Sequence, residues 1–231
     1  ICWTEADNGD LTAGPATIGT GSWLVDGLGN VGTTGAIRVT LDGAIDNDWV
    51  VSPEFTIPAT GYELKFTAAA TQGGLTVAPT TAWESDDSVE VLVTSTGMTN
   101  WVPLYTYIDT NVPSNVGSLN VLDLDAYATQ TVRFAFRAVE GAANGAAVVD
   151  FSVDNLEVRL SPTCPDQTGL VVSGVTSTGA NTSWDDMSGT GAVGYQYAIT
   201  TSATPPASGT PIATTFYIAS GLLPQTVYYL H

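Results

Sequence analysis

Residues 46–55 read DNDWVVSPEF and join an acidic stretch, an apolar run and a proline within ten positions. Residues 49–51 form the apolar run, and Pro53 ends the predicted strand because its nitrogen cannot donate to a neighbouring strand. Residues 46–48 are polar and predict a turn before the strand. The stretch therefore predicts a buried strand whose beginning carries enough oxygen atoms to hold a cation.

The rest of the chain also consists of short apolar segments separated by Gly, Thr, Ser, Asn and Pro. Apolar and polar residues alternate in 62–66, 89–93 and 132–136, the period of a strand with one buried face. Apolar residues do not repeat at helical spacing over three turns. The pattern predicts an all-β chain of antiparallel strands. The predicted strands are 2–4, 22–25, 36–41, 49–52, 62–69, 88–95, 101–107, 118–122, 131–139, 148–160, 170–175, 180–184, 194–200, 214–219 and 227–230.

The character of the sequence changes after Leu160. Prolines at 162 and 165 form a stiff linker before a new set of short strands. We therefore predict two domains, residues 1–162 and 163–231, with the second set of strands spaced as in a sandwich.

Charge limits the partners of this chain. Five basic residues stand against 23 acidic ones, and the formal net charge is -18. Such a field repels phosphate backbones and anionic lipid, so we expect no nucleic-acid partner. It attracts divalent cations and suits a secreted, extracellular protein. No run of 18 apolar residues occurs, and we expect no membrane insertion.

Enzymatic chemistry finds little support in the sequence. The single histidine is His231, which argues against a Ser-His-Asp site. Glu84, Asp86 and Asp87 could serve a glycosidase only if two carboxyl groups faced each other across a cleft, whereas solvated strand ends are the commoner use. Zinc-binding spacings and glycine-rich phosphate loops do not occur. We expect no catalytic residues and no enzyme.

Several motifs in order resemble the cleaved-adhesin, or choice-of-anchor J, jelly-roll domains. These domains are related to MAM domains and occur in secreted and surface proteins of Bacteroidetes-type bacteria. The resemblance covers residues 1 to about 160 and implies an antiparallel jelly-roll β-sandwich. The motifs are Cys2-Trp3, Trp23, DNDWVVSPEF, YELKFTA (62–68), DSVEVLVTSTGMTNWVPL (87–104), LDAYATQTVRFAFRA (124–138) and VDNLEV (153–158).

The second part resembles a fibronectin type III domain, an immunoglobulin-like β-sandwich. The matching segments are CPDQTGLVVSGVTSTGANTSWDD (164–186), GYQYAIT (194–200) and GLLPQTVYYLH (221–231). Trp184 corresponds to the tryptophan of the second strand. Seven strands make such a domain, and this sequence ends within the sixth. We expect either that the natural protein continues past His231 or that a partner supplies the last strand by β-addition.

Calcium is the cofactor that the acidic turns favour, because this cation takes six to eight oxygen ligands. Acidic clusters lie in 5–10, 42–48 and 150–155. The resemblance implies a structural cation between the first and last strands. Asp154 would bind it with Glu5 or Asp7, and Asp46 or Asp48 would be a further ligand. The alternative for each cluster is a solvated turn in which the side chain caps the backbone.

Cys2 and Cys164 are the only cysteines and lie near the two ends of the first predicted domain. A disulfide between them would stabilise the domain by roughly 4 to 5 kcal/mol in the chain-entropy model. The alternative is a pair of unrelated free thiols.

Trp83 lies in the polar, Gly- and Thr-rich segment 71–87, and its neighbours make it the tryptophan most expected to be exposed. An exposed tryptophan could stack on a sugar, so we predict Trp83 as a ligand-binding residue. Trp3, Trp23, Trp49, Trp101 and Trp184 lie in predicted strands and are expected in the core.

Together these observations predict a non-catalytic adhesion module of a larger secreted or cell-surface bacterial protein. Its expected partners are a surface polysaccharide or protein and the other domains of the same protein. Two alternatives remain open: an accessory domain that targets a secreted hydrolase or protease to its substrate, and a spacer in a surface stalk or filament.

Overall fold

The structure is a computed structural model that describes residues 3–43, 46–81, 83–143, 147–161, 167–186 and 194–231. The chain divides into two compact units, Ile1–Ser161 and Pro162–His231. Strands make up almost all of the regular structure, and their pairings are antiparallel, which confirms the predicted all-β class. Within the described ranges, no helix has the length and apolar character needed to span a membrane.

Twelve strands and two single 3-10 turns, Leu28–Asn30 and Asp125–Tyr127, lie in the described part of the first unit. The strands are β1 (Thr4–Asp10), β2 (Gly14–Ile18), β3 (Leu24–Asp26), β4 (Ala36–Leu41), β5 (Asp46–Val51), β6 (Phe55–Thr56), β7 (Tyr62–Gln72), β8 (Ser88–Thr94), β9 (Val102–Tyr107), β10 (Ser118–Asp123), β11 (Thr131–Glu140) and β12 (Val149–Leu160).

These strands form the two sheets of a jelly-roll sandwich. Sheet I has the order β2-β1-β5-β11-β8-β9, with β6 beside β11. Sheet II has the order β10-β7-β12-β4-β3. Consecutive strands often belong to different sheets, so the chain crosses repeatedly from one sheet to the other.

The main core lies between the two sheets. Phe66 of sheet II meets Phe136 of sheet I edge-on, with 5.3 Å between ring centroids. Phe134, Val91 and Leu64 are also fully buried in this core. The alternation predicted for 62–66, 89–93 and 132–136 therefore marks the inward face of three strands.

A second, smaller core covers the outer face of sheet I. The rings of Trp49 and Trp101 lie 5.7 Å apart, and both residues are buried, as predicted. Leu11 and Met98 pack against this cluster. The guanidinium carbon of Arg137 lies 5.1 Å from the centre of the Trp49 ring, a cation–π contact. Sheet I is thus buried on both faces around Trp49.

The predicted turn at residues 46–48 is wrong, because these residues begin strand β5. Asp48 pairs with Asp7 of β1 on one side and with Ala138 of β11 on the other. Pairing with β11 along residues 46–48, and with β1 at Asp48, satisfies backbone groups of this polar segment and overrides its preference for a turn. Strand β2 is also absent from the predictions, because its Gly-Pro beginning is typical of a loop.

All five basic residues of the chain lie within strands of the first unit rather than in its loops. The four arginines each form an ion pair with a carboxylate. The residues are Arg38 in β4, Lys65 in β7, Arg133 and Arg137 in β11, and Arg159 in β12.

The described part of the second unit holds seven short strands in three small sheets. Trp184 is buried, as predicted, and meets the ring of Tyr195 edge-on at 6.0 Å. Tyr197 stacks on Tyr217 at 4.1 Å. The sheets have the orders β13-β14-β18, β15-β17 and β16-β19. The strands are β13 (Val171–Ser173), β14 (Gly179–Ser183), β15 (Tyr195–Tyr197), β16 (Ile199–Thr200), β17 (Thr210–Ile212), β18 (Phe216–Ser220) and β19 (Tyr229–Leu230).

Candidate functional site: an acidic triad and a tryptophan pocket

Four connections of the first unit lie at one end of the sandwich, here called the loop end. They are the β4–β5, β7–β8, β9–β10 and β11–β12 connections. In sheet II, the last residues of β4 and β7 both pair with Val149, the first residue of β12. In sheet I, the first residue of β5 pairs with Glu140, the last residue of β11. The β4–β5 connection, residues 42–45, is too short to run along the sandwich, so these strand ends lie together. The β7–β8 and β9–β10 connections lie at the same end, because β8 begins beside the ends of β9 and β11.

An acidic triad of Asp7, Asp46 and Asp48 lies at the loop end of sheet I. One carboxylate oxygen from each residue lies within 4.8 Å of the others. Asp7 and Asp48 are register partners across β1 and β5, and Asp46 is two residues away on the same face. The strand pairing therefore builds the triad directly.

Hydrogen bonds hold two members of the triad, Asp46 and Asp48, and the backbone N–H of Asn47 donates to Asp46 Oδ1 at 2.7 Å. The backbone N–H of Ser22 donates to Asp48 Oδ1 at 2.8 Å, and the indole of Trp23 donates to the Asp48 carbonyl at 3.2 Å. Asp7 Oδ1 is buried and has no hydrogen-bond partner within the described residues. A buried carboxylate oxygen without a hydrogen-bond donor costs folding free energy, and a bound cation would offset that cost.

The electrostatics of the triad also favour a bound cation. Burial raises the pKa of Asp48, and the negative charges of Asp46 and Asp7 add to that effect, whereas Ser22 opposes it by hydrogen bonding. Three carboxylates with one of them buried repel each other in the absence of a cation. The donor set is all oxygen, which suits a hard divalent cation.

Two of the predicted calcium ligands lie outside the triad. Glu5 is exposed on β1, where it pairs with Val50. Asp154 lies on β12 in sheet II, and its Oδ1 accepts a hydrogen bond from the backbone N–H of Asn155 at 2.6 Å. The structure thus brings together Asp7, Asp46 and Asp48 of the five predicted ligands.

Asp150, from the third acidic cluster of the sequence, is bound by protein donors instead. It accepts hydrogen bonds from Arg38 at 2.6 Å, Thr40 and the Gly74 N–H at 2.7 Å, and Asn30 at 2.8 Å. Burial alone would raise its pKa, but the hydrogen bonds and the guanidinium outweigh burial and lower it. Asp150 therefore anchors the 3-10 turn that ends at Asn30 against sheet II.

A second group of carboxylates, Glu84, Asp86 and Asp87, precedes β8 at the loop end. The backbone N–H of Gly141 donates to Asp87 at 3.0 Å, and that of Ala143 donates to Asp86 at 2.8 Å. Burial raises the pKa of Asp87, with further contributions from Glu84 and Asp86, while the Gly141 hydrogen bond opposes the rise. These contacts join the β7–β8 connection to the β11–β12 connection.

Trp83 is buried, so the prediction that it is exposed is wrong. Only 4% of the residue is accessible, and its ring meets Phe151 of β12 edge-on at 6.1 Å. The physical reason is that burying a large indole against the core outweighs the polar character of the surrounding loop. Sugar stacking across an open Trp83 face is therefore not available.

A cavity of about 300 Å³ nevertheless lies beside Trp83 at the loop end. Asp109, at its rim, is exposed and has no partner within the described residues. The indole Nε1 of Trp83 is buried and also lacks a hydrogen-bond partner there. No pattern in the sequence singles out Asp109. The cavity is lined by Ala78, Pro79, Thr81, Trp83, Asp109, Val112, Pro113, Ser114 and Asn115.

Cys2 and Cys164 lie outside the described residues, as does the predicted domain boundary at 162 and 163. The disulfide and the position of that boundary stay predictions.

Neither a known protein family nor a curated protein matches the sequence. Among solved structures, the carbohydrate-binding module TmCBM61 in complex with β-1,4-galactotriose is 12% identical, covers 69% of this chain and 88% of its own, and has a TM-score of 0.41. A cleaved adhesin domain of Lys-gingipain from Porphyromonas gingivalis is 16% identical, covers 69% of this chain and 91% of its own, and has a TM-score of 0.42.

The glycoside hydrolase domain of Endo-D from Streptococcus pneumoniae is 12% identical and has a TM-score of 0.43. That match covers 99% of this chain but only 37% of the Endo-D chain. Identities and TM-scores this low assign no function to this chain.

Proposed function

We propose that this chain is a non-catalytic binding module of a larger secreted or cell-surface bacterial protein. Its first unit is a calcium-stabilised jelly roll of the cleaved-adhesin type, and its second unit belongs to a fibronectin type III domain. The module contacts a carbohydrate or protein surface through the loop end. The triad of Asp7, Asp46 and Asp48 is the observation that carries this proposal.

The triad supports calcium because its charges need compensation. Two carboxylates about 4 Å apart repel each other by about 4 kcal/mol at the effective dielectric constant of a protein surface. Asp7 Oδ1 has no donor within the described residues to offset this repulsion. A calcium ion bound by the three carboxylates removes it, with water or carbonyl oxygens completing the coordination. The ion then links β1 to β5. Strand β5 contributes Val50 to the main core and Trp49 to the smaller core on the outer face of sheet I.

The arrangement of polar groups supports binding rather than catalysis. The carboxylates of Asp86 and Asp87 are bound by backbone N–H groups, which fixes the loops instead of leaving an acid and a base facing a substrate. His231 lies in the second unit, where its Nε2 is 3.1 Å from the Thr200 hydroxyl. Converging loops on a rigid sandwich are a common way to build a recognition surface.

Calcium is tested by thermal unfolding in EDTA and in calcium, with isothermal titration for the affinity. At a calcium concentration 100 times the dissociation constant, we expect about 2.7 kcal/mol of stabilisation. For a unit of this size that corresponds to a rise of about 5–11 °C in the unfolding midpoint. Asp46→Asn should weaken calcium binding, and Asp154→Asn serves as the matched control. An unchanged midpoint after EDTA treatment would refute the calcium site.

Surface binding is tested with the full chain in calcium by retention on insoluble polysaccharides and on immobilised extracellular proteins. We expect retention on at least one of these surfaces. A chain that binds calcium but is retained on none of them would instead be a spacer.

A further inference from the structure

We propose that the loop end binds a segment of another protein in which a lysine or arginine side chain stands between apolar residues. This inference deepens the binding function proposed above and rests on it. The surface concerned, here called the loop-end patch, lies on the β7–β8 and β9–β10 connections. It consists of the cavity beside Trp83 and of four exposed apolar residues that border this cavity, Leu75, Val77, Ile108 and Val116.

The bordering apolar residues lie close to the cavity and are open to solvent. Three of them are direct chain neighbours of cavity-lining residues: Val77 of Ala78, Ile108 of Asp109, and Val116 of Asn115. Val116 is 81% exposed, and Leu75 and Val77 are 53% and 50% exposed. The side-chain amide of Asn115 donates to the Thr76 carbonyl at 2.9 Å, which joins the two connections. Exposed apolar residues grouped in this way mark an interaction surface.

The charge of the loop end selects the sign of the partner. Its four connections, residues 42–45, 73–87, 108–117 and 141–148, contain acidic residues and no lysine or arginine. Backbone N–H groups bind the carboxylates of Asp86 and Asp87, so these charges are held at this end. Asp109 lines the cavity, is exposed and has no partner within the described residues. A surface of one sign attracts a partner of the opposite sign and steers its approach.

The cavity suits the stem of one long basic side chain. It measures about 300 Å³, and Pro79, Val112 and Pro113 are among its lining residues. Lysine and arginine lay their methylene groups along apolar surface while the charged end stays in water or meets a carboxylate. Asp109 supplies that carboxylate. Apolar residues on either side of the basic one would then cover the bordering side chains.

A second copy of this chain does not fit this description. All five basic residues lie within strands of the first unit, and the four arginines are bound in ion pairs. Two copies, each with a net charge of -18, would also repel each other. An acidic polysaccharide would be repelled in the same way, and a neutral one gains nothing from the field. The observations therefore favour a basic segment of a different protein.

The test follows amide chemical shifts by NMR on the full chain in calcium, with acetylated and amidated peptides as probes. The probes are Ser-Val-Lys-Val-Ser and its arginine analogue. One matched peptide has norleucine in place of lysine, which keeps the apolar stem without the charge. A second has glycine in place of both valines, which keeps the charge without the apolar neighbours.

The variants change one part of the loop-end patch at a time. Asp109→Asn removes the charge at the cavity, and Val116→Ser removes an apolar contact at its border. Each has a matched control outside the cavity lining. Glu157→Gln neutralises an exposed carboxylate on β12, and Val102→Ser replaces a half-exposed valine at the start of β9.

We expect a basic peptide to shift amides within residues 75–79 and 108–116 and to bind more tightly than both matched peptides. Asp109→Asn should weaken binding by about threefold to fivefold, the scale of an exposed ion pair, and added salt should weaken it further. Val116→Ser should weaken it by about fivefold, and both controls should leave it unchanged. Equal binding of the norleucine peptide, unchanged affinity in both patch variants, or shifts confined to other residues would overturn the inference.

Retention on surfaces separates this inference from the general function. If the wild type is retained on a polysaccharide or protein but neither basic peptide binds the loop-end patch, the inference fails while the binding module stands. If the wild type is retained on nothing and binds no peptide, both proposals fail.

Discussion

Replacing Asp150 by asparagine tests the polar network that fixes the 3-10 turn to sheet II. The substitution keeps the size of the side chain but removes its charge and one of its acceptor oxygens. Asp150 is 1% exposed, and four donors from Arg38, Thr40, Asn30 and Gly74 converge on it. In the variant, the N–H groups of the asparagine amide would face donors that bond to carboxylate oxygens in the wild type.

The expected loss of unfolding free energy depends on Arg38, which loses its charged partner Asp150 in this variant. Breaking a buried ion pair costs about 3–5 kcal/mol when the remaining charge is fully buried. Arg38 keeps its second partner, Asp26, at 2.7 Å, and its side chain is 18% exposed. We therefore expect a loss near the lower end, about 3 kcal/mol, which corresponds to a fall of roughly 6–12 °C in the unfolding midpoint.

Urea unfolding of wild type and Asp150→Asn at pH 7 measures this loss. The wild type should also lose stability as the pH falls below about 4, because the folded-state pKa of Asp150 is lowered and its contribution disappears as the carboxylate is protonated. Asp150→Asn should lack that part of the acid dependence.

Asp154→Asn is the control, because Asp154 lies on the same strand as Asp150. Its carboxylate accepts a hydrogen bond from the backbone N–H of the next residue, Asn155, rather than from a network of side chains. We expect it to change the unfolding free energy by less than about 0.5 kcal/mol. If Asp150→Asn proves as stable as this control, the network is not a main support of the turn and the reasoning is wrong.

Three further changes test other parts of the fold. Gly14→Ala should destabilise by about 2 kcal/mol or more, measured by urea unfolding, since φ is +83° and a Cβ would lie 1.8 Å from the Met98 carbonyl oxygen. Tyr107→Phe removes a 2.6 Å hydrogen bond to Asn120 between the two sheets and should cost about 1 kcal/mol by the same measurement. Asp87→Asn should reduce the gain in stability as the pH falls toward 4, the ordinary pKa of an aspartate, because the folded-state pKa of Asp87 is raised above it. This follows because a raised folded-state pKa makes the folded protein take up the proton first, so an unchanged pH profile would contradict it.

The sequence was sufficient for the class of the fold and for much of the main core. Alternation of apolar residues is a local signal, and β4, Ala36–Leu41, has the predicted bounds. The strands of Phe66 and Phe136 were also found, because large side chains on one face of a strand must be buried. Local signals failed where tertiary pairing decided the outcome, as at Asp46, which begins a strand between two others instead of a turn.

The candidate site could be predicted only in part. Acidic residues near the chain start and near residue 46 were singled out, but their assembly into the triad depends on the β1–β5 register, which the sequence alone does not specify. Trp83 was identified as notable but placed on the surface, since its burial depends on Phe151, 68 positions later in the chain. No sequence pattern marks Asp109, because it comes to line the same cavity as Trp83 only where two loops meet in the folded protein.

The placement of every lysine and arginine within a strand bears on resistance to proteolysis. Proteases of trypsin-like specificity cut after these residues and require the chain to detach locally so that it can enter their active site. Here each cleavable bond is held in a sheet, so cutting must wait for strand opening and should follow the population of opened molecules. Digestion by trypsin is thus expected to be slow for the folded protein and to accelerate under conditions that open β4, β7, β11 or β12.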